Sequence, residues 1–80
     1  MAADSGASFK QATIQKILKN QFKDEKTKIG QDTLKLTCEV LRIFAREGAA
    51  RAAQRAKHES SPVVDIEHFE KILPQLLLDF

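Results

Sequence analysis

Apolar residues recur along this chain at helical rather than strand spacing, in three separate stretches. In the first, Ala12 or Ile14, then Ile17, Leu18 and Phe22 form one stripe, with Lys10, Lys16, Lys19 and Lys23 largely off it. Ser8 followed by Gln11 is a capping-box pattern, in which each side chain satisfies an amide that the first helical turn leaves open. A first helix is therefore expected over Phe9–Gln21. The polar run KDEKTK, Lys23 to Lys28, breaks the periodicity and predicts a loop carrying three lysines. Gly30 is an acceptable N-cap for a second helix, and Asp32 suits the positive end of that helix's dipole.

From Gln31 to about Lys57 there is no proline, Gly48 is the only interruption, and most residues favour helix, which predicts one helix of about seven turns. At 100° per residue Leu34, Thr37, Cys38, Leu41, Phe44, Ala45, Gly48, Ala49, Ala52 and Ala56 fall on one side. Leu36, Val40, Ile43 and Ala50 extend the apolar surface around much of the circumference, leaving a polar wedge of Lys35, Glu39, Arg42, Arg46 and Lys57. Two short flanking helices cannot cover so much apolar surface, so another chain is expected to cover the rest. Gly48, Ala49, Ala52, Ala53 and Ala56 would admit a second backbone closely, while Leu41, Ile43 and Phe44 supply bulk for a crossing. A monomeric three-helix bundle remains the alternative.

Glu59-Ser60-Ser61-Pro62 ends the long helix, because proline cannot continue it and pushes its predecessor toward extended geometry. Val63 and Val64 make a short β-branched step. Asp65 is a good N-cap for a third helix with Ile66, Phe69, Ile72 and Leu73 at helical spacing, and Pro74 is placed to open a further turn through Phe80. Three leucines and a terminal phenylalanine make an unusually apolar tail, which is expected to dock, whether on its own domain or on a partner.

Eighty residues make one domain at most, and a chain of that size buries only roughly 60 to 65% of its unfolded surface. Its stability alone should be marginal, and small chains recover stability from disulfides, a metal or a partner. Cys38, the single cysteine, is expected to be a small buried filler in a reducing compartment. His58 and His68, ten positions apart and without cysteines near them, do not suggest a metal site, and no cofactor is implied. By elimination, association with another chain is the expected staple. Residues 1–7 are small and polar and predict a disordered lead-in that is neither secretory signal nor membrane segment, so the chain is expected to stay inside the cell.

The net charge of +2 hides a division: residues 10–28 carry +4 and 30–58 carry +3, whereas 59–80 carry −4. An anionic partner is expected for the first two thirds, and a protein partner for the tail. There is no glycine-rich phosphate loop, no Ser/His/Asp or Cys/His arrangement and no acidic cluster suited to a hard cation, so the chain is not expected to be an enzyme. Any one lysine is by default a solvated surface group. Lys23, Lys26 and Lys28 differ, because they crowd one loop just before a helix N-terminus, where backbone amides and dipole also favour phosphate.

Short helix, loop, long helix, loop with a β-branched step, short helix is the layout of an all-α histone fold. The stretch NQFKDEKTKIGQDTLKL, Asn20 to Leu36, and the ending EKILPQLLLDF, Glu70 to Phe80, resemble the centromere protein X family, the smaller histone-fold partners of the Fanconi anaemia M translocase. The resemblance covers essentially everything after the first seven or eight residues and implies a single histone-fold domain over 8–80 with a C-terminal helical turn. It further implies a handshake in which two long helices cross, with centromere protein S as obligate partner. Two such dimers would form a tetramer, or one would join the dimer of centromere proteins T and W at the inner kinetochore; the pair would also support the translocase in DNA repair.

In that handshake the first loop of one subunit lies beside the second loop of the other, and both meet the backbone of double-stranded DNA. The resemblance thus assigns DNA contact to Lys23, Lys26 and Lys28, with Lys57, Ser60 and Ser61 as weaker candidates. It assigns the partner face to Leu34, Cys38, Leu41, Phe44, Ala45, Gly48, Ala49 and Ala52, with Val63 and Val64. A nuclear, chromosomal location follows from it. The competing expectation is a histone-fold scaffold that does not bind DNA, its lysines serving solubility.

Overall fold

The computed structural model describes residues 9–80, in which three α-helices supply the regular structure: α1, Gln11–Gln21; α2, Gln31–His58; and α3, Ile66–Asp79. No strand occurs among the described residues, and no helix among them is long and apolar enough to cross a membrane. Ser8 and the expected disorder of residues 1–7 lie outside the described residues. The chain divides into two compact units, Met1–Arg42 and Ile43–Phe80, with the boundary inside α2.

In the first unit, α1 begins at Gln11, two residues later than expected, behind Lys10 in extended geometry (φ −66°, ψ 118°). Lys10 makes no side-chain cap, and its carbonyl accepts the Ile14 amide at 3.1 Å. At the far end the Phe22 amide turns back onto the Lys19 carbonyl at 3.1 Å. The stripe read from the sequence buries Ile14 against Leu34 and Cys38 of α2, with Leu18, Ile29 and Leu41 packed around them. Burying one such aliphatic side chain contributes about 1.5–3 kcal/mol, so this cluster is what holds α1 to α2. Cys38 is a free, buried thiol used as filler. A side-chain bond from Gln31 Nε2 to Gln11 Oε1, 3.0 Å, ties the starts of the two helices together. Leu36 is left 64% exposed, and Val40 is exposed as well.

In the second unit, Ala52 and Ala56 of α2 and Leu76 and His68 of α3 are buried. At Gly48 α3 packs tightly against α2, for a Cβ there would stand 3.2 Å from Leu76 Cδ2 and 3.2 Å from Phe69 Cε2. Absence of a side chain there is what lets Leu76 reach complete burial, at 0% exposure. α3 departs from expectation at Pro74. Instead of closing one helix and opening a separate C-terminal turn, it runs unbroken from Ile66 to Asp79 with Pro74 inside it. The proline removes one backbone bond, to the carbonyl of Glu70, on a residue exposed to water, and the apolar stripe around it keeps the helix seated. The tail docks on its own chain: Phe80 meets Phe44 edge to face with ring centroids 5.2 Å apart and planes at 72°.

Candidate functional site

The first candidate region is the connection between α1 and α2. Asp24 shapes it: its Oδ1 accepts the Lys26 amide at 2.9 Å, and its carbonyl accepts the Thr27 amide at 3.0 Å. That is a side chain standing in for a backbone turn, the habit that makes aspartate common in loops. Gly30 then serves as expected, its carbonyl taking the Leu34 amide at 2.9 Å as the first bond of α2, with Asp32 in the first turn. The structure brings Lys23, Lys26 and Lys28 together in this connection, all exposed. None of them forms an ion pair among the described residues, neither with Asp24, whose Oδ1 is turned onto the Lys26 amide, nor with Glu25.

The second region is the exit from α2. The Ser61 amide reaches back to the Ala56 carbonyl at 2.8 Å and the Ser60 amide to that of Lys57 at 3.0 Å, with Ser60 at φ 59°. This nested pair of bonds closes a helix end around one left-handed residue, a place normally given to glycine. Ser61 Oγ donates to the Val63 carbonyl at 2.8 Å and fixes the β-branched step. Val63 and Val64 both stay exposed. Lys57 is exposed and has no ion pair among the described residues.

Around this exit the other cations are engaged. Glu59 Oε2 takes Arg55 Nε at 2.9 Å and Lys71 Nζ at 2.7 Å. The bond from Lys71 holds the Glu59 carboxyl below its usual range against the opposing effect of desolvation, and the weaker effect of the Arg55 bond adds to the lowering. Arg51 pairs with Glu47 at 2.9 Å and Asp79 at 2.8 Å. Gln75 and then Arg51 lower the Asp79 carboxyl in the same way.

His68, 2% exposed, occupies the third position of α3, and its Nδ1 accepts the Asp65 amide at 2.8 Å while Nε2 faces Glu59 Oε1 at 3.5 Å. Its role is to cap α3 and join that cap to the end of α2, a role that sequence reasoning misses. The signal was present in Asp65 and His68 at capping-box spacing, but a histidine is an unusual third member of that motif. A shallow groove lined by Arg51, Gln54, Arg55, His58 and Ile72 runs along this unit. No group of three or more His, Cys, Asp or Glu among the described residues is placed to hold a metal ion.

The residues assigned to a partner face fall into two sets. Leu34, Cys38, Gly48 and Ala52 are buried within their own units, and Leu41 and Phe44 are half-buried. Ala45, Ala49, Val63 and Val64 are exposed, as are Leu36, Val40 and Ile43, which the helical wheel placed on the widened apolar surface.

A short, a long and a second short helix, with an exposed β-branched step before the last and apolar positions left uncovered on the long one, define a small subunit of histone-fold type. The chain belongs to the centromere protein X family: residues 11–80 match the family described as "CENP-S associating Centromere protein X". It is 50% identical over 72 residues to Centromere protein X of Gallus gallus, covering 90% of each chain. It is 47% identical over 77 residues to that of Bos taurus, covering 96% of this chain and 98% of the relative. To Centromere protein X of Homo sapiens it is 42% identical over 78 residues, covering 98% of this chain and 96% of the relative.

Proposed function

We propose that this chain is the non-catalytic, DNA-binding subunit of a histone-fold heterodimer whose other member is a centromere protein S, acting at the centromeric chromosome in the nucleus. The observation that carries DNA contact is the loop of Lys23, Lys26 and Lys28: three exposed lysines without a carboxylate partner, held in a turn that leads directly into the N-terminus of α2. Lys57, exposed at the C-terminal end of α2, is a secondary contact. Lysine is a point charge that meets phosphate without reading base edges, so the mode is backbone contact and is strongly salt-dependent. Partner binding is supported by the family's description as centromere protein S-associating and by Leu36, Val40, Ile43, Val63 and Val64, apolar groups that the lone chain leaves in water. Ala45 and Ala49 offer close backbone approach, while Leu34, Cys38, Gly48 and Ala52 are buried and Leu41 and Phe44 half-buried within their own units.

The finer roles rest on the same reading. Two dimers would assemble as a tetramer, or one dimer would join the centromere protein T and W dimer in inner kinetochore assembly. The same pair would serve DNA repair with the Fanconi anaemia M translocase. The test is duplex binding by the purified pair across a salt series. Replacing Lys23, Lys26 and Lys28 by alanine is expected to flatten the log–log salt slope by roughly 0.9 for each phosphate no longer engaged. An unchanged slope removes the loop from the DNA surface, and a pair that forms but ignores DNA at every salt concentration is a protein scaffold instead.

A further inference from the structure

We infer that Asp24, an acid in the middle of the cationic loop, is a positioning residue for phosphate contact by Lys23, Lys26 and Lys28, and that it favours anion binding despite its charge. The inference rests on the DNA-binding reading above and deepens it. Charge counting says the opposite: an exposed carboxylate beside three lysines should repel phosphate and neutralise part of the attraction. The geometry overrides that count. The Asp24 carboxylate makes no ion pair with a lysine among the described residues. Its Oδ1 instead takes the Lys26 amide at 2.9 Å, while its carbonyl takes the Thr27 amide at 3.0 Å.

Two consecutive amides, on Lys26 and Thr27, are thus anchored to one residue, and the ammonium groups on either side of the turn are left for an outside anion. Without the anchor the loop would have to be ordered at the moment of binding, and the affinity would carry that entropic cost. The negative charge itself matters less. At the surface its repulsion of a phosphate is weakened by the high dielectric constant of water.

Asparagine separates the two effects, because its side-chain carbonyl also accepts an amide two residues on while carrying no charge. In the purified heterodimer, Asp24→Asn is expected to keep the turn and to bind duplex DNA as tightly as the parent or up to about twofold tighter. Asp24→Ala removes the same charge together with the acceptor. It is expected to weaken binding about fivefold, roughly what one net hydrogen bond is worth, and to flatten the salt slope by up to about 0.9, the share of a single phosphate. Amide exchange of Lys26 and Thr27 provides a reading without DNA: it should accelerate in Asp24→Ala and stay slow in Asp24→Asn.

If both variants bind equally well and more tightly than the parent, Asp24 acts through its charge alone and the inference is overturned. If the two aspartate variants differ as expected and the triple lysine variant also loses affinity, the inference and the DNA-binding reading both stand. Should the triple lysine variant bind like the parent, the reading falls and the inference with it. Should the triple variant lose affinity while Asp24→Ala matches the parent, only the inference falls.

Discussion

In the first unit the loop lysines stand in solvent with no carboxylate against them, whereas in the second Arg51, Arg55 and Lys71 are each held by Glu47, Asp79 or Glu59. Both units contain acids near their cations, so composition does not separate them. What separates the first loop from the second unit is where the acid points. The Asp24 carboxylate is turned onto the Lys26 backbone amide, whereas Glu59 and Asp79, like Glu39 on Arg42 in α2, are turned onto side-chain cations. A cation already in an ion pair has to give up that partner before it can take a phosphate, and the exchange leaves little net gain. Formal charge along a sequence therefore overstates what part of the 30–58 stretch offers an anion, and it describes the 22–30 loop more faithfully.

The two units are also held by different means. Ile14, Leu34 and Cys38 form an aliphatic cluster in the first, whereas the second depends on Leu76 entering the gap left by Gly48 and on His68 capping α3. The largest expected effect comes from emptying that gap. Leu76→Ala should cost about 2–5 kcal/mol, the range for a fully buried leucine whose surroundings cannot collapse. Denaturant unfolding of the purified heterodimer measures it, and amide exchange should show α3 loosened while the amides around Ile14 keep their protection. Equal loss of protection in both units would mean that they open as one rather than separately.

Much of this architecture was legible in the sequence because it is written in local chemistry. Gly30 before a proline-free run and Pro62 after it mark the ends of the α2 stretch, whereas the apolar stripes mark the buried side less well, since Ile17 and Ile66 of the stripes are exposed while His68 and Leu76 are buried. The misses have physical causes too. α1 starts at Gln11 because Lys10 takes the cap position without a side-chain bond. Pro74 looks like a boundary, yet the side chains around it keep α3 in one piece. The pairing of Glu59 with Lys71 spans twelve positions of sequence and has no periodic signature, so the partition of paired and unpaired cations could not be read beforehand. Nor could the division of the α2 face between its own short helices and open surface, since a helical wheel shows which residues share a side but not which neighbour covers them.

A smaller effect is expected where α2 ends. The first loop is shaped by a side chain and contains no non-glycine residue at positive φ, whereas the second is closed by backbone around Ser60 at φ 59°. A left-handed L-residue costs roughly 1–2 kcal/mol, and glycine at that place relieves it while adding freedom to the unfolded chain. Ser60→Gly should thus stabilise the heterodimer by about 0.5 kcal/mol, read as a rise in the denaturant midpoint at unchanged slope. A fall in the midpoint would show that the Ser60 hydroxyl contributes more than its backbone strain costs.

The smallest effect is electrostatic and belongs to the second unit. Glu59 is held below its ordinary value of 4.5 chiefly by Lys71, and Asp79 below 3.8 chiefly by Gln75 and then Arg51. A carboxyl depressed in the folded state stabilises the fold fully above its unfolded value, and that contribution is lost as pH falls through the lowered folded value. Titration from about pH 5 downward should accordingly weaken protection of the α3 amides from both ends, with added salt reducing the loss because these groups are exposed. Glu59→Gln should remove the Glu59 share of that dependence while leaving the Asp79 share. If Glu59→Gln leaves the acid profile of α3 unchanged, the pairing of Lys71 and Arg55 with Glu59 is too weak to set it, and those cations belong with the available charge rather than apart from it.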